Sequence, residues 1–159
     1  HLKRARELPI SPLAEVFLVE ASRAQLVKEA IRPSLERNII VICDRYTHST
    51  LAYQGYGRGL DLDIIETVNS IATGGLSPDL VVLLDIPVEV GLARKKEDGR
   101  DRFESESVAF HERVRQGYRA MARADRKRWL VIDGTQPPRR IQDMIWARVS
   151  RMRRREVEG

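Results

Sequence analysis

Ile39-Ile40-Val41-Ile42-Cys43-Asp44-Arg45-Tyr46-Thr47-His48-Ser49-Thr50-Leu51-Ala52-Tyr53-Gln54-Gly55-Tyr56-Gly57-Arg58-Gly59-Leu60 is the stretch on which the fold turns. Its five leading apolar residues, unbroken rather than alternating, predict a strand covered on both faces, as in the parallel sheets of α/β proteins. The polar, glycine-punctuated run that follows opens with a carboxylate and a guanidinium. Open α/β sheets place phosphate chemistry there, at the carboxyl ends of their strands.

Two more apolar runs end in an acidic residue, 80–84 before Asp85 and 130–132 before Asp133. Helical spacing fills the intervals. Residues 13–35 follow Ser11-Pro12, where serine caps and proline suits the first turn. Residues 61–73 stop at Gly74-Gly75, a glycine helix ending. Pro87 opens a third helix, and Ser105 precedes a fourth carrying Val108, Phe110, Val114, Tyr118 and Met121. The last follows Pro137-Pro138, with Ile141, Ile145 and Val149 four residues apart. This alternation predicts βαβ units around a parallel sheet.

The 159 residues suit one domain, and 42% hydrophobic content is enough for a core. A net charge of +5 favours an anionic ligand. Much of the excess lies in Arg148, Arg151, Arg153, Arg154 and Arg155, which read equally as a solvated basic helix end or a phosphate-binding cluster. Cys43 is the single cysteine, so no intrachain disulfide forms; it is expected to be a small buried strand residue. No apolar run reaches membrane-span length, and His1-Leu2-Lys3-Arg4 lacks a secretory apolar region. The expected compartment is the cytoplasm.

Residues 94–104, Arg94-Lys95-Lys96-Glu97-Asp98-Gly99-Arg100-Asp101-Arg102-Phe103-Glu104, are rich in charge and poor in apolar side chains. Such a segment is either a solvated loop with incidental ion pairs or a lid whose cations meet charge developing during phosphoryl transfer.

Residues 44–60 resemble the signature of bacterial thymidylate kinases, which phosphorylate dTMP with ATP. The resemblance extends in order to Pro12-Leu13-Ala14-Glu15, Ser22-Arg23-Ala24-Gln25, Leu76-Ser77-Pro78-Asp79-Leu80, Asp101-Arg102-Phe103-Glu104 and Phe110-His111-Glu112-Arg113-Val114. It covers about residues 13–149. It implies an α/β, P-loop NTPase-like parallel sheet with flanking helices, of the nucleoside monophosphate kinase type. Residues 1–159 then form one partial domain, with a lid at 94–104 and a basic tail at 151–159.

Carried over by position, the resemblance implies that Asp44 organises magnesium and the phosphates, while Arg45 holds the acceptor phosphate. Arg23 and Gln54 match positions that read the thymine edge; Val19, Ser49, Thr50 and Tyr53 match the surrounding pocket. Phe103 and Glu104 match lid residues beside the sugar and the metal. Arg94, Arg100 and Arg102 are the candidates for an essential catalytic arginine, and Asp133-Gly134-Thr135-Gln136-Pro137 resembles the loop bordering adenine or reads simply as a strand-to-helix connection. Arg58 fits a basic position of the family, open between ligand binding and loop structure. ATP and Mg2+ are the implied co-substrate and metal, dTMP the acceptor, and a homodimer the assembly, with residues 13–35 and 61–73 as candidate contacts.

The chain also departs from the family. Val19 stands where an aromatic usually stacks on thymine, a loss of about 1 kcal/mol. Phe17, two residues away, points roughly 160° from Val19 on a helix and is a poor substitute. Ser22 replaces a usual acid and Leu26 a usual histidine. No Gly-x-x-x-x-Gly-Lys-Ser/Thr occurs in the chain, so the family's phosphate loop is expected first in residues encoded before His1, next to be supplied by another copy or chain, and last to have been lost from a diverged, repacked relative. The family's first strand lies between those matching 39–43 and 80–84, so a gap of nearly 10 Å, about two strand spacings, is expected there. The alternatives are another nucleoside monophosphate or deoxynucleoside kinase, or a non-catalytic nucleotide- or nucleic-acid-binding relative. The tail lacks the interleaved aromatics that single-strand binding uses, which makes nucleic acid an unlikely partner.

Overall fold

Ser11 starts the first helix by accepting the Ala14 N–H on its hydroxyl at 3.3 Å, with Pro12 in the first turn. The computed structural model describes residues 10–94 and 106–157. Helix α1 (Pro12–Leu26) runs into a π-helical stretch (Val27–Ile31) and then α2 (Arg32–Glu36). Pro33 has no N–H, so the ladder must be interrupted nearby. The π turn absorbs the interruption, with the Arg32 N–H reaching back five residues to the Val27 carbonyl.

The run after residue 43 is helical, which its glycines and polar residues did not suggest. A short α3 (Thr47–Thr50) continues into a second π-helical stretch (Leu51–Gly57), closed by the Arg58 N–H on the Tyr53 carbonyl at 3.0 Å. Helix α4 (Leu62–Thr73) is capped by Asp61 and ends at Gly74, whose φ of 58° is left-handed and costs glycine little. Strand β1 (Val81–Asp85), α5 (Val88–Ala93), α6 (Val108–Ala124), strand β2 (Trp129–Asp133) and α7 (Pro138–Val157) follow. Ser107 caps α6, two residues later than the expected start.

The two strands pair in parallel, in register from Val81 with Trp129 to Asp85 with Asp133. Both acidic strand ends therefore meet at one edge. Arg115 of α6 clamps this edge, donating from Nε to Asp85 Oδ1 at 2.7 Å and from Nη2 to Oδ2 at 3.2 Å. The second π stretch packs along α6, and α1 packs on α4. Close approach depends on Gly117: a Cβ there would sit 2.5 Å from Cγ of the Tyr56 ring, well inside contact distance. Ala52, Phe110 and Val114 form the buried centre of this contact, with Tyr53, Tyr118 and Met121 packed around them.

Residues 39–43 differ from expectation. They form no strand, and Ile40 and Ile42 are 63% and 94% exposed. Cys43 is likewise exposed rather than buried. A strand needs a neighbour to satisfy its N–H and C=O groups, and among the described residues the sheet holds β1 and β2 alone. Leu84 and Val131 are also about half exposed, so β1 and β2 are not covered on both faces. Ile42, Leu84 and Val131 are the kind of apolar surface the expected gap would leave uncovered.

Candidate active site

Arg45 occupies the left-handed region, with φ 69°. A non-glycine residue there carries strain of about 1 kcal/mol or more, a cost associated with functional sites. The Cys43 thiol donates to the Arg45 carbonyl at 3.2 Å. The Arg45 guanidinium lies 4.9 Å from the centre of the Tyr53 ring. Burial pulls its pKa down, but Tyr53, Tyr118 and Asp44 outweigh this and hold the cation above its ordinary value. Asp44 is exposed beside it.

Behind Arg45 lies a buried polar network. Arg23, three residues after Glu20 on α1, donates through Nη1 to the Glu20 carboxylate and to Thr50 Oγ1 at 2.8 Å, and the Asn69 amide nitrogen of α4 donates to the same carboxylate at 2.9 Å. Its Nη2 donates to the Tyr46 carbonyl at 3.0 Å. Thr50 completes the circuit by donating to Glu20 Oε1 at 2.7 Å. Glu20, Arg23 and Thr50 are all buried. Desolvation lowers the Arg23 pKa, with Tyr46, Cys43 and Tyr118 opposing. The network ties α1, α3 and α4 together at the floor of the site.

A second buried carboxylate, Glu15, fixes the other pocket residue. Gln54 Nε2 donates to Glu15 Oε2 at 3.3 Å, and Arg58 reaches both Glu15 oxygens at 3.3 Å. Arg58 also pairs with Glu106 at 2.6 Å and lies 4.9 Å from the centre of the Phe110 ring. Burial lowers the Arg58 pKa, yet Glu106 and Glu15 more than offset it. Arg58 therefore joins α1 and the second π stretch to the segment before α6, which gives it a structural role.

Val19 is half-buried, whereas Phe17 is 54% exposed, in keeping with their opposed directions on α1. Tyr118 on α6 donates its hydroxyl to Ser49 Oγ at 3.0 Å. His48 meets Trp129 edge-on at 4.9 Å, and burial lowers its pKa, with Arg128 adding to the effect. The fold thus joins Arg23 and Thr50 in one buried network, sets Tyr53 under Arg45 and Ser49 against Tyr118, and keeps Gln54 buried on Glu15. Glu15, Glu20, Asn69 and Tyr118 belong to the same assembly without having been singled out. For Glu20, its position three residues before Arg23 was the available signal.

A second region lies at the strand-end edge. Arg94 donates from both Nη atoms to the Gly134 carbonyl at 3.3 Å. Asp133 accepts the Thr135 N–H at 2.9 Å and hydroxyl at 2.7 Å, and these bonds, with one from Gln136, lower its pKa. This turn borders a cavity of about 760 Å³ lined by Leu84, Arg94, Thr135, Ile141 and Trp146 among others. Arg100, Arg102, Phe103 and Glu104 lie outside the described residues.

Among the described residues no group of three or more metal-ligating side chains occurs. Magnesium is commonly held by one or two carboxylates together with substrate phosphates, so the exposed Asp44 fits such an ion. No described helix is long and apolar enough to cross a membrane.

An open parallel sheet with its polar residues gathered at the strand ends defines an α/β fold of the nucleoside monophosphate kinase type. The thymidylate kinase family model matches residues 2–145, and the chain belongs to this family. It is 59% identical over 140 residues to a thymidylate kinase of Thermosynechococcus vestitus, covering 87% of this chain and 58% of the relative. It is 56% identical over 133 residues to one of Desulfovibrio desulfuricans, covering 79% and 61%. A crystal structure of thymidylate kinase from Ehrlichia chaffeensis superposes with a TM-score of 0.65 at 30% identity, covering 80% of this chain and 61% of that one. The chain thus spans about three fifths of the length of these relatives.

Proposed function

We propose that the protein transfers the γ-phosphoryl group of ATP to dTMP, giving dTDP and ADP, and that this chain carries the acceptor site. The observation that supports this most is the placing of Arg45 beside the Glu20–Arg23–Thr50 network, so that a candidate phosphate-binding cation adjoins a buried, internally bonded polar network. An oxygen of the dTMP phosphate attacks the γ-phosphorus, and the bond to the bridging oxygen of ADP breaks. Protein groups contribute by positioning and charge stabilisation. Arg45 offers a planar fork for the phosphoryl oxygens. Arg23, Thr50 and Gln54, each anchored by a buried carboxylate, present a fixed edge to the base, with Val19 and Tyr53 beside it. Asp44 would hold magnesium together with Glu104, and the ion would neutralise charge on the donor phosphates. Arg94, Arg100 and Arg102 are the candidates to meet charge developing on the transferred group.

We also propose a homodimer formed through α1 and α4, since Leu13, Phe17 and Leu18 of α1 and Ile64 and Ile71 of α4 are all exposed. Its place is the cytoplasm, where free nucleotides are available.

The test is a coupled ADP-release assay on the protein expressed from its complete reading frame. ADP release is expected to respond to dTMP well above dCMP or AMP. Equal rates with the three acceptors would refute the substrate assignment.

A further inference from the structure

Tyr118 has no part in the proposed reaction, yet this half-buried side chain has its hydroxyl bonded at the start of α3. It lies on α6, 69 residues from Ser49, whose Oγ it meets at 3.0 Å. Ser49 is itself fixed by its N–H on the Tyr46 carbonyl at 2.9 Å, one residue beyond the left-handed Arg45. The ring packs with Tyr53 against Phe110, so the aromatic over which Arg45 lies and the phenol beside it share one support. Burial raises the Tyr118 pKa, with Arg45 and Arg23 opposing. The hydroxyl therefore stays protonated near neutral pH. Gly117, the residue before it, admits Tyr56 closely enough to seat the second π stretch on α6.

We propose that Tyr118 is a positioning residue for the acceptor phosphate: its hydroxyl, bonded to Ser49 beside Arg45, holds the first turn of α3 and the Arg45 fork in the geometry that receives dTMP. This rests on the function proposed above. An arginine at the surface end of a strained turn has many rotamers, and a partner that fixes the turn reduces what binding must order.

The experiment compares wild type, Tyr118→Phe, Ser49→Ala and the double variant, all expressed from the complete reading frame. Tyr118→Phe keeps the ring and deletes one hydroxyl. The KM for dTMP is expected to rise about 2–12-fold, the range of one ordinary hydrogen bond, while kcat changes less than twofold and the KM for ATP is unchanged. The unfolding midpoint stays close to that of wild type. If the two hydroxyls act as one unit, the double variant has the same KM as either single variant. An unchanged KM in Tyr118→Phe, KM increases that multiply in the double variant, or a loss of kcat that tracks a lowered melting temperature would each overturn the proposal. A Tyr118→Phe protein that fails to fold would give the hydroxyl a purely structural role and would also overturn the proposal. A wild-type protein without dTMP-dependent ADP release would refute the proposed function instead.

Discussion

Arg45→Ala is expected to lower kcat/KM for dTMP by about 10²–10⁴-fold while leaving the KM for ATP within about twofold. The magnitude follows from two charge-assisted hydrogen bonds to a phosphate, each worth about 1.5–3 kcal/mol, with 1.4 kcal/mol per factor of ten. Arginine and alanine bear the same backbone strain at φ 69°, so the comparison isolates the side chain. Arg45→Lys supplies a charge without the fork and recovers part of the loss. Steady-state kinetics with varied dTMP at saturating ATP measures both variants. A loss below tenfold for alanine would remove Arg45 from phosphate binding.

Glu20→Ala carries the largest expected effect on stability, a loss of about 3–5 kcal/mol. Arg23 is 8% exposed, and alanine leaves its charge buried without the carboxylate that balances it. Thr50 loses its acceptor in the same substitution. Glu20→Gln keeps an oxygen for both donors and is expected to lose clearly less than alanine. Urea denaturation checks this through the midpoint at unchanged slope. A loss under about 1 kcal/mol for alanine would show that water reaches Arg23 and that the network is not a rigid floor. Affinity for dTMP should fall with stability, because Thr50 and Arg23 hold the pocket edge.

The sequence made the helices legible because their signals are local. Ser11-Pro12 and Gly74 each act within one turn of the residues they cap, and the structure uses them as expected, with Asp61 as an unanticipated N-cap of α4. The strands ending at Asp85 and Asp133 were equally clear, being short apolar runs that find each other. Residues 39–43 carry the same pattern and form no strand, because strand pairing depends on a partner elsewhere. Residues 47–57 carried no assigned element in the sequence and are helical, with Gly57 letting the helix lie against Phe110 and Val114 of α6.

The site was legible to the extent that its residues resemble a known signature. Tyr53 lies under Arg45, Ser49 meets Tyr118, Arg23 and Thr50 share Glu20, and Gln54 is held by Glu15. Glu15 was not legible, since a carboxylate on a helix ordinarily faces water and only contacts 39 to 43 residues away give it a reason to be buried, whereas Glu20 had a local signal in Arg23 three residues on. The hydroxyl of Tyr118 escaped notice similarly, because its ring satisfies the apolar spacing of α6 by itself. Val19 remains a departure that the structure makes concrete: half-buried on the face shared with Arg23, it offers the base less surface than an aromatic would.

The central claim is that the segment opening at Asp44 and Arg45 receives the nucleotide being phosphorylated. A crystal structure of the protein from its complete reading frame with dTMP bound tests this most directly. The account predicts the phosphate within hydrogen-bond distance of the Arg45 guanidinium, with thymine beside Val19 and facing Thr50, Arg23 and Gln54. A dTMP phosphate bound elsewhere, with Arg45 still lying over Tyr53 and touching no ligand, would contradict it.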